Sequence, residues 1–409
     1  MKIRGPLVDM LVELDPELYE GTYTYERGQK VLYVHVLKAI YGMLRSALLF
    51  YKKLRADLEK IGFKINPYDP CVANRTINGK QHTVTWHVDD LKSSHVDSKV
   101  NDEFVKWLDD MYGTKEQPVK AVRGKVHDYL AMVFDYSTPG EVKLNMVDYV
   151  KSMVEDFPED ISGKHVTTPW TENLFKVNPK SPELTKERAE QFHTMVAKGL
   201  FLTKRARQDV HPAISFLCTR VRAPTQEDWS KLSRMIKFLN TTAEDCLILR
   251  ADGSNIIKWS LDSSFAVHPD MKSHTGATMT LGKGTIQSTS TKQKVNTRSS
   301  TESELVSGDD VMAKVMWTKL FLQAQGYDVK DNIIYRDNQS TMKLEINGKA
   351  SSGKRTRHLN IKYFFITDLI KRGEVKILYC PTDEMTADYM TKPLVGKKFV
   401  KFRKEIMNL

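Results

Sequence analysis

The chain has 409 residues, 41% of them hydrophobic and 9% aromatic, which is enough to bury cores in two or three domains and excludes a wholly disordered polypeptide. Its 62 lysines and arginines against 51 acids leave a net charge of +11 and a pI near 9.2; this favours a polyanionic partner over an acidic small substrate, although charge also serves solubility. Cys71, Cys218, Cys246 and Cys380 form no CxxC pair, arguing against a zinc site or disulfide framework, and no apolar run is long enough to span a bilayer. These features predict a soluble intracellular protein without membrane attachment.

Residues 1–165 alternate helix and strand patterns, as in a βαβ-type α+β layer. Val36 to Phe63 carries apolar residues at three- and four-residue spacing up to a break at Gly62, predicting one long buried helix, and the turn Asn66 to Pro70 follows. Asn78-Gly79-Lys80 between β-forming segments predicts a hairpin, and HTVTWHVDDLKSS a second strand pair with Asp89 and Asp90 near its tip. A helix over Val100 to Gly113 and the strands HDYLAMVFDYS and GEVKLNMVDYV complete the region.

Residues 166–248 read as a helical connector: an extended lead, then three helices within Ser181–Val210, His211–Val221 and Gln226–Thr242. Its basic run Lys204, Arg205 and Arg207 reads as a solvated helix face, with phosphate contact as the other reading. Residues 249–409 form a third unit of pattern β β β α β α α β α. Three strands come first (IIKWSLDSSFAV, SHTGATMTLGKG, TIQSTSTKQK), then a helix from Thr301 to about Gln325. The strand NIIYRDN, a short helix, the helix HLNIKYFFITDLIKRG, the strand EVKILYC and a final helix opened by Pro381, Thr382 and Asp383 follow.

Four acids of this third unit sit where a strand gives way to a turn or a helix begins: Asp262, Glu304, Asp337 and Asp388. Asp262 follows the alternation Ile257, Trp259, Leu261, which turns it to the opposite face from those side chains. Glu302 and Glu304 differ by about 200° around a helix, so only one of them faces the sheet, and Gly308 leaves space one turn beyond Glu304. Asp388 lies one turn after Glu384 in the predicted last helix, and either can approach the others. An all-carboxylate set suits magnesium, and two such ions suit phosphodiester hydrolysis; singly, each acid is an ordinary strand-end or helix-start carboxylate.

WSLDSSFA, SSTESEL, YRDNQS, SGKRTRHLNIKYFF and TADYMTKP, in this order over Ile256 to Pro393, resemble the ribonuclease H domain of copia-type LTR retrotransposon Pol polyproteins. That resemblance implies an α/β fold with a five-stranded mixed sheet, hydrolysis of RNA in RNA:DNA hybrids, and a two-ion magnesium site, with manganese as a substitute, on Asp262, Glu304, Asp337 and Asp388. It selects Glu304 over Glu302, because the second acid of the TExEL string is the family's ligand. His358 reads either as a proton shuttle or as a helix-start histidine, while Lys354, Arg355 and Arg357 with Lys292, Lys294 and Arg298 are candidates for the hybrid's phosphates. The cluster Lys397, Lys398, Lys401, Arg403 and Lys404 has the same two readings, phosphate contact or solvated tail.

The N-terminal region resembles the reverse transcriptase palm of the same family: AIYGMLRSALLFYKKL matches its LYGLKQAPRAWY stretch, NPYDPCVANR its FxxDxCVY stretch, and WHVDDLKSS its YVDD hairpin. Asp89 and Asp90 would then be two of three polymerase carboxylates, binding magnesium and serving a primer-template. His87 stands in place of the usual Tyr, and Arg45, Ala47 and Leu48 in place of Gln, Pro and Arg. The first polymerase acid, carried in the family by DVxxAFLxG, has no counterpart, so polymerase activity is doubtful. The expectation is a C-terminal part of a polyprotein, with Met1 an internal methionine: an incomplete palm over 1–165, a thumb-like connector over 166–248 and a ribonuclease H-like domain over 249–409.

Overall fold

The structure, a computed structural model, describes residues 1–37, 39–40, 42–161, 163–348 and 365–409. They fall into two compact units, Met1–Ile65 with Pro70–Val100, and Asn66–Asp69 with Asn101–Leu409. The fold is mixed α and β with several sheets.

The first unit opens with β1 (Lys2–Arg4), α1 (Pro6–Leu14), α2 (Pro16–Tyr19), β2 (Thr24–Glu26) and β3 (Gln29–Tyr33), whose strands form a sheet in the order β1-β3-β2. The helix expected from Val36 begins instead at Leu44 (α3, Leu44–Lys60), because Gly42 adopts φ 86° and Met43 is extended. It is amphipathic rather than buried: Leu54 and Leu58 are enclosed, most of its remaining side chains are not, and the buried Asp57 is held by Lys53 and Lys60 at 2.8 and 2.9 Å. A second sheet runs β4 (Lys64–Asn66), β5 (Asp69–Ile77), β6 (Lys80–His87), β7 (Asp90–Ser94). Asn78 and Gly79 take φ 51° and 72° in the two-residue turn that their sequence predicts. Val88 and Asp89 form the next turn with Val88 at φ 57°, an uncommon conformation for a β-branched residue.

The main part of the second unit begins at Asn101, within α4 (Ser98–Tyr112), and continues with β8 (Val126–Tyr129), β9 (Met132–Asp135), β10 (Val142–Asn145) and α5 (Val147–Glu155). The single strand expected over His127–Ser137 is a hairpin, because Leu130 and Ala131 adopt φ 53° and 62°. The strand expected to run on to Val150 stops at Asn145, whose side chain accepts from Val147 N at 2.9 Å where α5 starts. The strand pairs described within residues 1–165 are antiparallel, so the expected βαβ arrangement gives way there to hairpins. Helices α6 (Lys186–Thr203), α7 (His211–Cys218) and α8 (Gln226–Thr241) are the three predicted, and α8 is started by a Thr225/Asp228 capping box.

There follow β11 (Leu247–Ala251), β12 (Ile256–Ser264), β13 (His274–Thr280), β14 (Gly282–Lys283), β15 (Gln287–Lys292), α9 (Ser300–Ala324), β16 (Asp331–Arg336), α10 (Gln339–Asn347), α11 (Phe365–Lys371), β17 (Lys376–Tyr379), α12 (Asp388–Thr391) and α13 (Gly396–Met407). The final helix expected from Pro381 is broken into a 3-10 turn at Thr382–Glu384, α12 and α13, with an extended Lys392 before Pro393, as proline demands of its predecessor. A mixed five-stranded sheet has the order β15-β13-β12-β16-β17, in which β12, β16 and β17 are parallel and β13 and β15 antiparallel, as expected for this region. A second sheet, β14-β11-β10-β9-β8, is antiparallel where its register is described.

Two cores result. Ile257, Trp259 and Leu261 pack with Val311, Met312 and Val315 of α9 and with Ile334 and Ile377. The other core joins α6, α7 and α8 to Tyr389, Met390, Phe399, Phe402, Ile406 and Met407 of the C-terminal helices. Between α7 and β15 lie polar contacts: His211 to Ser288 at 2.8 Å and Ser215 Oγ donating to Ser290 O at 2.6 Å. Close by, His268 Nε2 is 2.9 Å from His274 Nδ1, whose Nε2 is 2.8 Å from Ser290 Oγ.

Burial, aided by Lys292 and opposed by Asp270, pushes the His268 imidazole down to about 4, so the folded chain keeps it neutral at pH values where the unfolded chain protonates it. Its contribution is therefore complete above the ordinary histidine value of about 6.5 and is lost as the pH falls toward 4. Thermal unfolding should accordingly lose about 1–3 kcal/mol from this group between those limits, and His268→Asn should flatten part of that fall. An unchanged slope in a pH series of melts would contradict it.

Candidate metal centre

Strand register brings the acids together. Ser260 pairs with Tyr335 in the parallel β12/β16 ladder, so Asp262 and Asp337, each two residues further on, emerge side by side at the strand ends. Helix α9, capped by Ser299, which accepts from Glu302 N, places Glu304 beside them. Asp262, Glu304 and Asp337 each offer a carboxylate oxygen within 4.8 Å of the others. Glu302 instead turns back to accept from Arg298 N at 2.7 Å.

Asp388 arrives from the opposite side of the chain, on α12. That helix can lie against the sheet because Gly276, paired with Asp262 across the β12/β13 ladder, has no side chain: a Cβ there would stand 2.4 Å from Thr391 Cγ2 and 3.0 Å from Ala387 O. Thr391 donates to Asp262 Oδ2. Lys392 Nζ stands 2.5 Å from Asp388 Oδ1 and 3.4 Å from Asp262 Oδ2, and Lys398 Nζ is 3.0 Å from Asp388 Oδ2. Asp388 is thus buried beside the cluster but occupied by two lysines, and the cluster itself consists of the other three acids.

A second cation enters from β16. Arg336 is fully enclosed and donates to Glu304 Oε2 at 2.9 Å, Ser307 Oγ at 2.9 Å and Glu345 Oε1 at 2.6 Å. The space expected beside Gly308 is filled by this guanidinium, since a Cβ on Gly308 would meet Arg336 Nη2 at 2.7 Å. The remaining oxygen of Glu304 accepts from Ser263 N at 3.0 Å, and Asp337 Oδ2 accepts from Thr382 Oγ1 at 2.9 Å.

Burial dominates the electrostatics. It pushes the Asp262 carboxyl up, against the pull of Lys392 and with the help of Asp388; it pushes Glu304 well up, with Asp262 adding and Arg336 opposing. Burial lowers Lys392, but Asp262 and Asp388 outweigh it and hold the ammonium above its usual range. These opposed charges sit in one small volume, and an all-oxygen donor set of this kind matches a hard divalent cation such as magnesium or manganese.

The other expected site residues are placed as follows. Asp89 lies in the β6/β7 turn and Asp90 opens β7, both exposed; among the described residues no third Asp, Glu, His or Cys joins them in a ligand cluster. Lys292 pairs with Asp270 at 2.7 Å, whereas Lys294 and Arg298 are exposed in the loop leading to α9. Lys354, Arg355, Arg357 and His358 lie outside the described residues.

Two basic clusters are only partly solvated. In the 204–207 run, Arg207 is buried on Asp209 and Thr242 and so is not part of a solvated face, Arg205 stacks over Phe201 at 3.4 Å, and the exposed Lys204 places its Nζ 2.9 Å from His211 Nε2. Of the last basic residues, Arg403 bonds Asp209 and Asp245 and Lys398 bonds Asp388, whereas Lys397, Lys401 and Lys404 are exposed on α13. Arg336, Glu345, Lys392 and Gly276 carried no local pattern to distinguish them; YRDNQS and MTKPL contain the two cations in plain view.

No family model matches the chain. It is 24% identical over 409 residues to the retrovirus-related Pol polyprotein from transposon TNT 1-94 of Nicotiana tabacum, covering 97% of this chain and 29% of that one. It is 24% identical over 374 residues to the retrovirus-related Pol polyprotein from transposon RE2 of Arabidopsis thaliana, covering 90% and 25%. Among solved structures, a prototype foamy virus protease-reverse transcriptase aligns over 89% of this chain and 41% of its own, at 14% identity and a TM-score of 0.24. The chain spans between a quarter and a third of the length of the two polyproteins.

Proposed function

Because homologues of this chain are retrovirus-related Pol polyproteins of transposons, we propose that it is a reverse transcriptase/ribonuclease H-like segment that hydrolyses the RNA strand of RNA:DNA hybrids. The observation that carries the reading is the convergence of Asp262, Glu304 and Asp337, which are distant in sequence, within 4.8 Å. We read residues 1–165 as palm-like, 166–248 as a connector and 249–409 as the ribonuclease H-like region. The setting is intracellular, in cytoplasm, nucleus or a virus-like particle. Among the described residues no helix is long and apolar enough to cross a membrane.

In this reading Asp262, Glu304 and Asp337 hold the cation, with Asp388 completing a second position. Magnesium, or manganese in its place, supplies charge stabilisation at the scissile phosphate when bound. The chain's own part is to present these carboxylates at fixed spacing: Ser263 N and Arg336 orient Glu304, Thr391 orients Asp262, and Thr382 orients Asp337. Exposed Lys294 and Arg298 next to α9 offer contacts to the hybrid's backbone. Asp89 and Asp90 would serve a primer-template only if a further acid joined them, so polymerisation is not part of the main reading.

A labelled RNA strand annealed to DNA tests the proposal. With magnesium, the full chain should cleave it and Asp262→Asn should not; equal rates, or no cleavage by either, would sink it. The second reading is a relic that binds nucleic acid without turnover, favoured by one observation: Asp388 and Glu304 are already neutralised by Lys392, Lys398 and Arg336. It predicts hybrid binding that weakens steeply with salt and no cleavage.

A further inference from the structure

Lys392 is placed between two of the proposed ligands rather than beside them. Its Nζ lies 2.5 Å from Asp388 Oδ1 and 3.4 Å from Asp262 Oδ2, the spacing at which one cation joins two carboxylates. Both acids are nearly fully enclosed, whereas the Lys392 side chain is 36% exposed, so the acids are fixed and the ammonium has a route outward. Its backbone is extended between α12 and Pro393, which leaves the side chain outside any helical packing. The second oxygen of Asp388 is satisfied by Lys398 from α13, so Asp388 is anchored even when Lys392 leaves it.

From this geometry we infer that Lys392 is an internal counter-ion that fills the cation position between Asp262 and Asp388 and must swing out before a divalent ion can enter there. The inference rests on the reading of the acids as metal ligands and adds a division of labour to it. Asp262, Glu304 and Asp337, whose oxygens lie within 4.8 Å of one another, form the position that accepts a first ion; the Asp262/Asp388 position takes its ion in competition with Lys392. Without metal, the same ammonium keeps two buried carboxylates from facing each other unpaired. Hybrid phosphates, by attracting Lys392 outward, would lower the barrier to filling the second position, which couples substrate to the second ion.

Manganese binding to the full chain, followed by the loss of free Mn2+ signal in electron paramagnetic resonance, separates the possibilities. Wild type should show one tighter and one weaker ion. Lys392→Gln, which keeps a hydrogen-bonding side chain but no charge, should tighten the weaker ion at least tenfold and leave the tighter within about threefold, the size expected when one like charge is removed at contact distance. In the absence of metal the same variant should melt at a lower temperature, and manganese should restore more of its melting temperature than it does for wild type. Lys392→Arg, which retains the charge, should bind like wild type and serves as the control for folding. A weaker ion unchanged by Lys392→Gln while the tighter one binds normally would overturn the inference alone. No binding by wild type, by Lys392→Gln or by Lys392→Arg would overturn both the inference and the metal reading beneath it.

Discussion

Replacing Arg336 by methionine is expected to lower the free energy of unfolding by about 3–5 kcal/mol, the cost of leaving buried carboxylates without their cation. Its guanidinium is enclosed and shared between Glu304 and Glu345, both also buried, with Ser307 as a third acceptor. Methionine fills a comparable length of apolar space, so the lost charge, rather than a cavity, should dominate. The loss should show in urea unfolding as a lower midpoint at constant slope. If the argument is right, adding Glu345→Gln should recover part of the loss, because that side chain then needs no cation, while Glu304 still has the Ser263 amide and remains the smaller cost. A shift under 1 kcal/mol in the single variant, or no recovery in the double, would show that the buried trio carries little stability.

The same residue marks where reading the sequence stops. The alternation Ile257, Trp259, Leu261 was enough to assign β12 and to turn Asp262 away from the α9 core, because strand periodicity is a local property of the backbone. The Asn78-Gly79 turn was legible for the same reason. Glu304 was separated from Glu302 only with the help of the family resemblance, and the register of α9 then places it by Asp262.

What local pattern could not provide is which partner a charge finds. Arg336 reads as an ordinary strand-end cation and Lys392 as an ordinary surface lysine, yet both end against the acids of the cluster. Gly276 reads as a weak point in a strand, and its reason, the approach of Thr391 from more than a hundred residues away, exists only after folding. The misread elements have local causes that compete with periodicity: Gly42 ends the helix expected from Val36, Leu130 and Ala131 fold one expected strand into two, and Pro393 divides the expected final helix.

Residues 249–409 expressed alone are expected not to fold cooperatively, although the sequence resemblance singles them out. Tyr389, Met390, Phe399, Phe402, Ile406 and Met407 are all at most 2% exposed, and they are enclosed by α6, α7 and α8, which such a fragment lacks. Exposing six large apolar side chains at about 1.5–3 kcal/mol each removes roughly 9–18 kcal/mol, comparable to or larger than the whole stability of a typical domain at about 5–15 kcal/mol. Polar ties go with them: Tyr389 OH donates to Asp209 O at 2.9 Å, Trp170 Nε1 to Leu394 O at 2.8 Å, and Gln208 Nε2 to Thr285 O at 2.7 Å. Arg403 would lose Asp209, its buried partner. Because Asp388 and Thr391 sit in α12 among these contacts, the fourth acid and the hydroxyl on Asp262 depend on the connector for their position. The fragment should therefore show no sharp thermal transition and no cluster-dependent stabilisation by manganese, whereas residues 101–409 should show both. A cooperative melt of the 249–409 fragment close to that of the longer one would show that the C-terminal helices find their packing without the connector, and that the acid site is autonomous after all.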